Sequence, residues 1–139
     1  MDTSTTTTAK TNVQVIQQAF QDFLQGNIRG VIDSCDDSVE WGSYKNPEIP
    51  TARMFYGKEG VQEFFTAITN NIDYKVFDPR EFIAQGDTVM VLGHHSGMVK
   101  KTGKSFDHDW CMHFKIKNEK VTYYFVFVDT LDQAKSFKE

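Results

Sequence analysis

"TVMVLGHHSGMVKKTGKSFDHDWCMHFKIKNEKVTYYFVFVDT", Thr88 to Thr130, decides the fold. Apolar residues recur at every second position in three runs, the period of a strand with one buried face. The runs are separated by "TG" (Thr102–Gly103) and "NE" (Asn118–Glu119). Turns that short leave no room for a crossover, so neighbouring strands must be antiparallel. Working back, "IDYKVFDPREFIA" from Ile72 reads as a further strand that enters the series through "QGD" at 85–87. The result is a four-strand meander.

Upstream of Ile72 the period is helical. Asn12 suits a helix cap, and Val13, Ile16, Ala19, Phe20, Phe23 and Leu24 form one apolar face that ends at Gly26. Ile28, Val31, Ile32 and Cys35 mark a second short helix, and Val61, Phe64, Phe65 and Ile68 a third over Gly57–Asn70. "SVEWGSY" (38–44) reads as a short strand, and the two prolines of "KNPEIPTARMFY" (45–56) mark a loop able to cover a site. "LDQAKSFKE" starts a short last helix. Helices first and strands after is an α+β pattern: a curved antiparallel sheet of four meander strands plus a short N-terminal strand, packed on three N-terminal helices.

The chain has 139 residues, enough for one core. Residues 1–11 read as a disordered Thr-rich tail and 12–139 as a single domain. The 12 phenylalanines predict a core or cavity with aromatic walls. The net charge is −4 with the signs interspersed, and no basic stripe exists for nucleic acid. No apolar run suits a membrane helix, and "MDTSTTTTAK" lacks a signal-peptide core. The expectation is a cytoplasmic protein in which Cys35 and Cys111 are free thiols.

The wording "VIQQAFQDFLQGNIRGVIDSCDDSVEW", "FYGKEGVQEFF", "FIAQGDTVMVLGHHSGMVKKTGKSF" and "NEKVTYYFVFVDT" resembles the SnoaL-like polyketide cyclases. These belong to the cone-shaped superfamily of ketosteroid isomerase and nuclear transport factor two. The resemblance spans about residues 12–132 and implies a cone-shaped fold enclosing one cavity. It also implies a homodimer through the outer sheet face. Aligned on "QGN", the isomerase's catalytic tyrosine falls on Ala19, and aligned on "DDSVE" its proton-shuttling aspartate falls on Trp41. Steroid isomerase chemistry is therefore not implied. Met112 stands where relatives place a histidine.

Alternation sorts the polar residues by face. Phe106, His108, Trp110, Met112 and Phe114 share one side of their strand, and Asp107, Asp109, Cys111 and His113 the other. Two-residue hairpins set His95 opposite Trp110, Gly97 opposite His108, Phe127 opposite Trp110 and Asp129 opposite His108. The inner face would then carry His95, His108 and Asp129 among aromatics, with Gly93 and Gly97 leaving space.

His108–Asp129 is the sharpest candidate for catalysis, because a carboxylate beside a histidine fixes its tautomer and raises its basicity. A buried structural hydrogen bond explains the same pair equally well. Trp41, Tyr44, Phe55, Phe64, His95, Trp110, Met112 and Phe127 are the candidate ligand contacts. Of these, Trp41 reads as shape-setting, Phe55 and Phe64 as core or wall, and His95 as a core residue stacked on Trp110 or a third polar group. His94, Asp109, Cys111 and His113 lack any metal-site spacing, so no metal is expected. The reading is a protein that binds a small, largely apolar organic molecule. If it is an enzyme, it needs no cofactor and works by proton transfer: isomerisation, cyclisation, dehydration or hydration. The alternative is a non-catalytic ligand-binding or dimerisation module on the same fold.

Overall fold

The computed structural model describes residues 10–139; most of the Thr-rich tail lies outside them. Thr11, not Asn12, caps the first helix, α1 (Asn12–Leu24), through a capping box with Gln14. Asn27 caps α2 (Ile28–Asp33) by accepting from the Gly30 amide at 3.0 Å. Then come β1 (Cys35–Gly42), β2 (Met54–Tyr56), α3 (Gly57–Asn71), β3 (Ile72–Gln85), β4 (Thr88–Val99), β5 (Ser105–Lys117), β6 (Lys120–Phe127) and α4 (Thr130–Phe137).

The sheet is curved and unclosed, with strand order β2-β1-β6-β5-β4-β3. The meander is present, and β1 joins β6 in parallel. Six strands form instead of five, because the end of the 45–56 loop pairs back onto β1, Phe55 opposite Trp41. Helices α1 to α3 cover the inner face, where Ile16, Val39, Val61, Val89, Val91 and Val121 are fully buried. Cys35 and Cys111 are free, and burial pushes the Cys35 thiol up to about 12. Among the described residues, no helix is long and apolar enough to cross a membrane.

Both hairpin registers depart from expectation. The β4–β5 loop is longer than two residues: Val99 and Lys104 close it, with Lys100 to Gly103 between them. That shifts pairing by two, so His95 faces His108 and Gly93 faces Trp110. The β5–β6 turn is the expected two-residue one, with Asn118 and Glu119 both at positive φ (52° and 64°). Just beyond it the register slips between Lys115 and Ile116, since Thr122 is an extra residue in β6. A one-residue slip exchanges the faces. Tyr124 lies inward opposite Phe114, while Phe125 and Phe127 lie outward.

Gly93 admits the Trp110 ring. A Cβ there would run into that indole and lie 2.6 Å from the Asp78 carbonyl oxygen. Gly93→Ala should cost about 1–3 kcal/mol, the usual range for overpacking a filled site. A urea denaturation midpoint equal to the parent's would contradict this account of the glycine.

Candidate active site

The inner face brings together His95 from β4, His108 from β5 and Asp132 from α4. His95 Nε2 and His108 Nε2 lie 2.9 Å apart. His108 Nδ1 lies 2.8 Å from Asp132 Oδ2, which also accepts the Asp107 backbone N–H at 2.9 Å. Both imidazoles are buried, 6% and 7% exposed, while the Asp132 side chain keeps 34% of its surface in water.

The protons can be assigned from charge. The His108 hydrogen bond, foremost, holds the Asp132 carboxyl below the usual carboxylate range. Asp132 is therefore ionised at neutral pH and accepts from His108 Nδ1–H. In the neutral ring, His108 Nε2 is then an acceptor, so His95 Nε2–H donates to it. That leaves a lone pair on His95 Nδ1, which is buried and has no partner among the described residues. Burial, with His108 adding to it, lowers the His95 pKa to about 3.

Beside this chain lies a cavity of about 90 Å³ between the helices and the sheet. Its walls include Ala19, Phe20, Trp41, Phe64, Tyr74 and Tyr124. His95 lines it and His108 does not, so His95 stands in front and His108–Asp132 behind. Ala19 and Trp41 both line the cavity and carry neither a carboxylate nor a hydroxyl.

Several expected site residues are placed elsewhere. Asp129 does not meet His108: the β6 slip carries it off that register, and its carboxylate caps α4 by accepting from the Asp132 amide at 3.0 Å. Phe127 is 41% exposed on the outer face for the same reason. Tyr44, 64% exposed, packs its ring on Phe125 there, at 4.9 Å between centroids. Trp110 is buried behind the cavity wall, stacked on the lining rings of Phe20 and Phe77, and does not line the cavity itself. Phe55 is core, against Phe64 at 5.5 Å and beneath the Arg53 guanidinium. His95 stacks on neither face of Trp110; its ring neighbours are Tyr74, Phe77, Phe106 and His108. Trp41, Phe64, His95 and Met112 do line the cavity. Asp132, Tyr74, Tyr124 and Gln133 were not anticipated. Asp132 alone had a sequence signal, an acid in the first turn of a helix after a capping aspartate. On the outer face His94 bridges Asp107 and Asp109, at 2.7 and 2.8 Å.

The model of the SnoaL-like domain matches residues 16–124. The chain belongs to the SnoaL-like domain family. An NTF2-like protein from Burkholderia xenovorans LB400 is 26% identical, covers 91% of this chain and 95% of its own, and superposes with a TM-score of 0.82. Another, from Burkholderia thailandensis E264, is 22% identical over 94% of this chain and 100% of its own, with a TM-score of 0.85. TerC, co-crystallised with polyporic acid, is 22% identical over 92% of this chain and 98% of its own, with a TM-score of 0.79. No curated protein matches the chain.

The Asp132 assignment has a spectroscopic and a thermodynamic consequence. Asp132→Asn should remove the low-field proton signal of a carboxylate-bound His108 Nδ1–H, and Asp129→Asn, which keeps a capping side chain, should leave it. The folded-state value of Asp132 is depressed, so its contribution to stability is present above the ordinary 3.8 and is lost as pH falls through the folded value. Stability measured from pH 5 downward should therefore decline less in Asp132→Asn than in the parent. Equal declines in both would refute the pairing.

Proposed function

We propose that this SnoaL-like protein binds a small, largely apolar organic molecule in the cavity and moves a proton on it without a cofactor, with His95 Nδ1 as the accepting atom. The observation that carries the reading is the unpartnered Nδ1 of a cavity-lining histidine whose other nitrogen is bonded to His108–Asp132. A lone buried imidazole could not hold a positive charge. Here it need not. When a proton reaches Nδ1, His95 can pass its Nε2 proton to His108, and the charge comes to rest beside the Asp132 carboxylate. His95 and His108 would be the proton carriers and Asp132 the positioning residue. The co-crystal of TerC with polyporic acid supports ligand binding on this fold.

Solvent exchange tests this. In D2O, the protein should speed deuterium uptake at the carbons beside the carbonyl of cyclohexanone, a small apolar probe. His95→Ala should lower the protein-dependent rate about 100-fold, the lower range for general-base catalysis. A rate unchanged by His95→Ala would sink the catalytic reading. The second reading, a binding module without turnover, is favoured by Ala19 and Trp41 in the cavity wall. It predicts quenching of Trp41 fluorescence by the probe with no exchange.

We also propose that two copies pair through the outer sheet face. Tyr44 and Phe127 are exposed there beside Phe125 and Leu92, more aromatic surface than a lone sheet face needs. Light scattering should give twice the chain mass, falling to one chain mass in Phe127→Asp. A parent of single mass would end this proposal.

A further inference from the structure

Another opening lies on the outer face, at the β2 edge of the sheet. It is an open cleft whose walls include Tyr44 and Lys45 from the segment after β1, Arg53 just before β2, Tyr56 at the end of β2 and Phe125 from β6. Tyr44 and Tyr56 are 64% and 66% exposed, so both rings present surface that a further ring could cover. Tyr44 is braced edge-on against Phe125 at 4.9 Å.

Two cations border these rings. The Arg53 guanidinium rests 3.7 Å from the centre of the Phe55 ring and donates to the Met54 carbonyl at 3.0 Å. Lys45 is exposed. Neither forms an ion pair among the described residues. No carboxylate lines the cleft, and Glu40, opposite Tyr56 in the register, stands outside the lining. In a chain of net charge −4, two positive charges are thus left unneutralised beside aromatic walls. The inner cavity has the opposite character: no lysine or arginine lines it. The two openings meet at Ser43 and share no ionisable side chain.

Open rings and unpaired cations call for one kind of partner. We infer that the cleft is a second ligand site, which takes a planar aromatic carboxylate with its ring against Tyr44 and Tyr56 and its charge at Lys45 and Arg53. A guanidinium fork matches the two oxygens of a carboxylate, and Lys45 adds a point charge. The site does not depend on the proton-transfer reading.

Titration calorimetry with 2-naphthoate tests the site. Tyr44 and Phe125 also belong to the patch proposed for pairing, so Phe127→Asp is titrated beside the parent. Naphthoate should bind, more weakly as salt is added. Lys45→Gln, at an exposed position, should weaken it about threefold, within the range of an exposed ion pair, and the double variant Lys45→Gln, Arg53→Gln about tenfold. Neither change should alter binding of 2-naphthol, which has the same rings and no carboxylate. Tyr56→Leu should weaken both probes. Binding to Phe127→Asp alone would uphold the cleft and show that pairing closes it. Naphthoate affinity unchanged in the double variant would overturn the site, as would displacement of naphthoate by cyclohexanone, the probe of the inner cavity. No binding to either protein at millimolar naphthoate would overturn it as well. None of these outcomes bears on His95 as a base.

Discussion

The hydrogen-bond register of β5 is the constraint on which the rest depends. Strand side chains alternate, so a slip of two moves a residue along its face and a slip of one moves it to the other face. Both happen here. The longer β4–β5 loop shifts its neighbour by two, leaving His95 inside and setting it opposite His108. The extra Thr122 shifts the other neighbour by one, which sends Phe125 and Phe127 outward and brings Tyr124 in. Without the first, the imidazoles would not meet. Without the second, Tyr123 would take the place of Tyr124 opposite Phe114, and Phe125 and Phe127 would turn inward.

Electrostatics explains why the third member comes from α4. Two buried imidazoles 2.9 Å apart cannot both be charged, and burial already holds His95 down at about 3. A carboxylate buried on the same face would add a second desolvation cost. Asp132 avoids it by lying at the rim, partly in water, with the Asp107 amide and His108 on one oxygen. Helix α4 can hold it there because Asp129 caps the helix start. Farther along, Phe137 packs with Ile49, Ala52, Ile72, Val99 and Phe106, and Thr102 bonds the Ser136 carbonyl. The capping aspartate and the pairing aspartate are thus separate residues with separate tasks.

The fold was legible because its signals are local. Alternation over Thr88–Val99 and Ser105–Lys117 admits one reading, and β5's inner set, His108, Trp110, Met112 and Phe114, is buried as its pleat requires. The site was legible only where it depends on a face and not on a count across a turn. His95 and His108 follow from alternation alone. Their mutual contact needed the loop length, which "KKTGK" does not reveal, since either two or four of its residues can make the turn. The β6 slip left no trace at all: "VTYYFVFV" is apolar or aromatic on both faces, so no polar residue betrays which set lies inside. Asp132 could be read as a first-turn acid of the last helix but not set against His108, because a helix meeting a sheet edge obeys no period.

The aromatic walls also limit what can enter. Tyr124 is fixed by Trp41 on one side and by Phe114 at 5.3 Å, and Phe64 meets Trp41, Phe55 and Phe65 edge-on. Such packing is dense and its rings have few alternative rotamers. A cavity of about 90 Å³ has room for roughly six to nine water molecules, at about 10–15 Å³ for each. A ligand of several rings would have to displace wall residues, at the cost of their stacking. Small, flat and uncharged molecules need displace only the water. Size and polarity therefore act together: the small cavity excludes ligands of several rings, and the unpartnered Trp41 Nε1 and His95 Nδ1 in its wall would leave hydrogen bonds unmade against a purely apolar one.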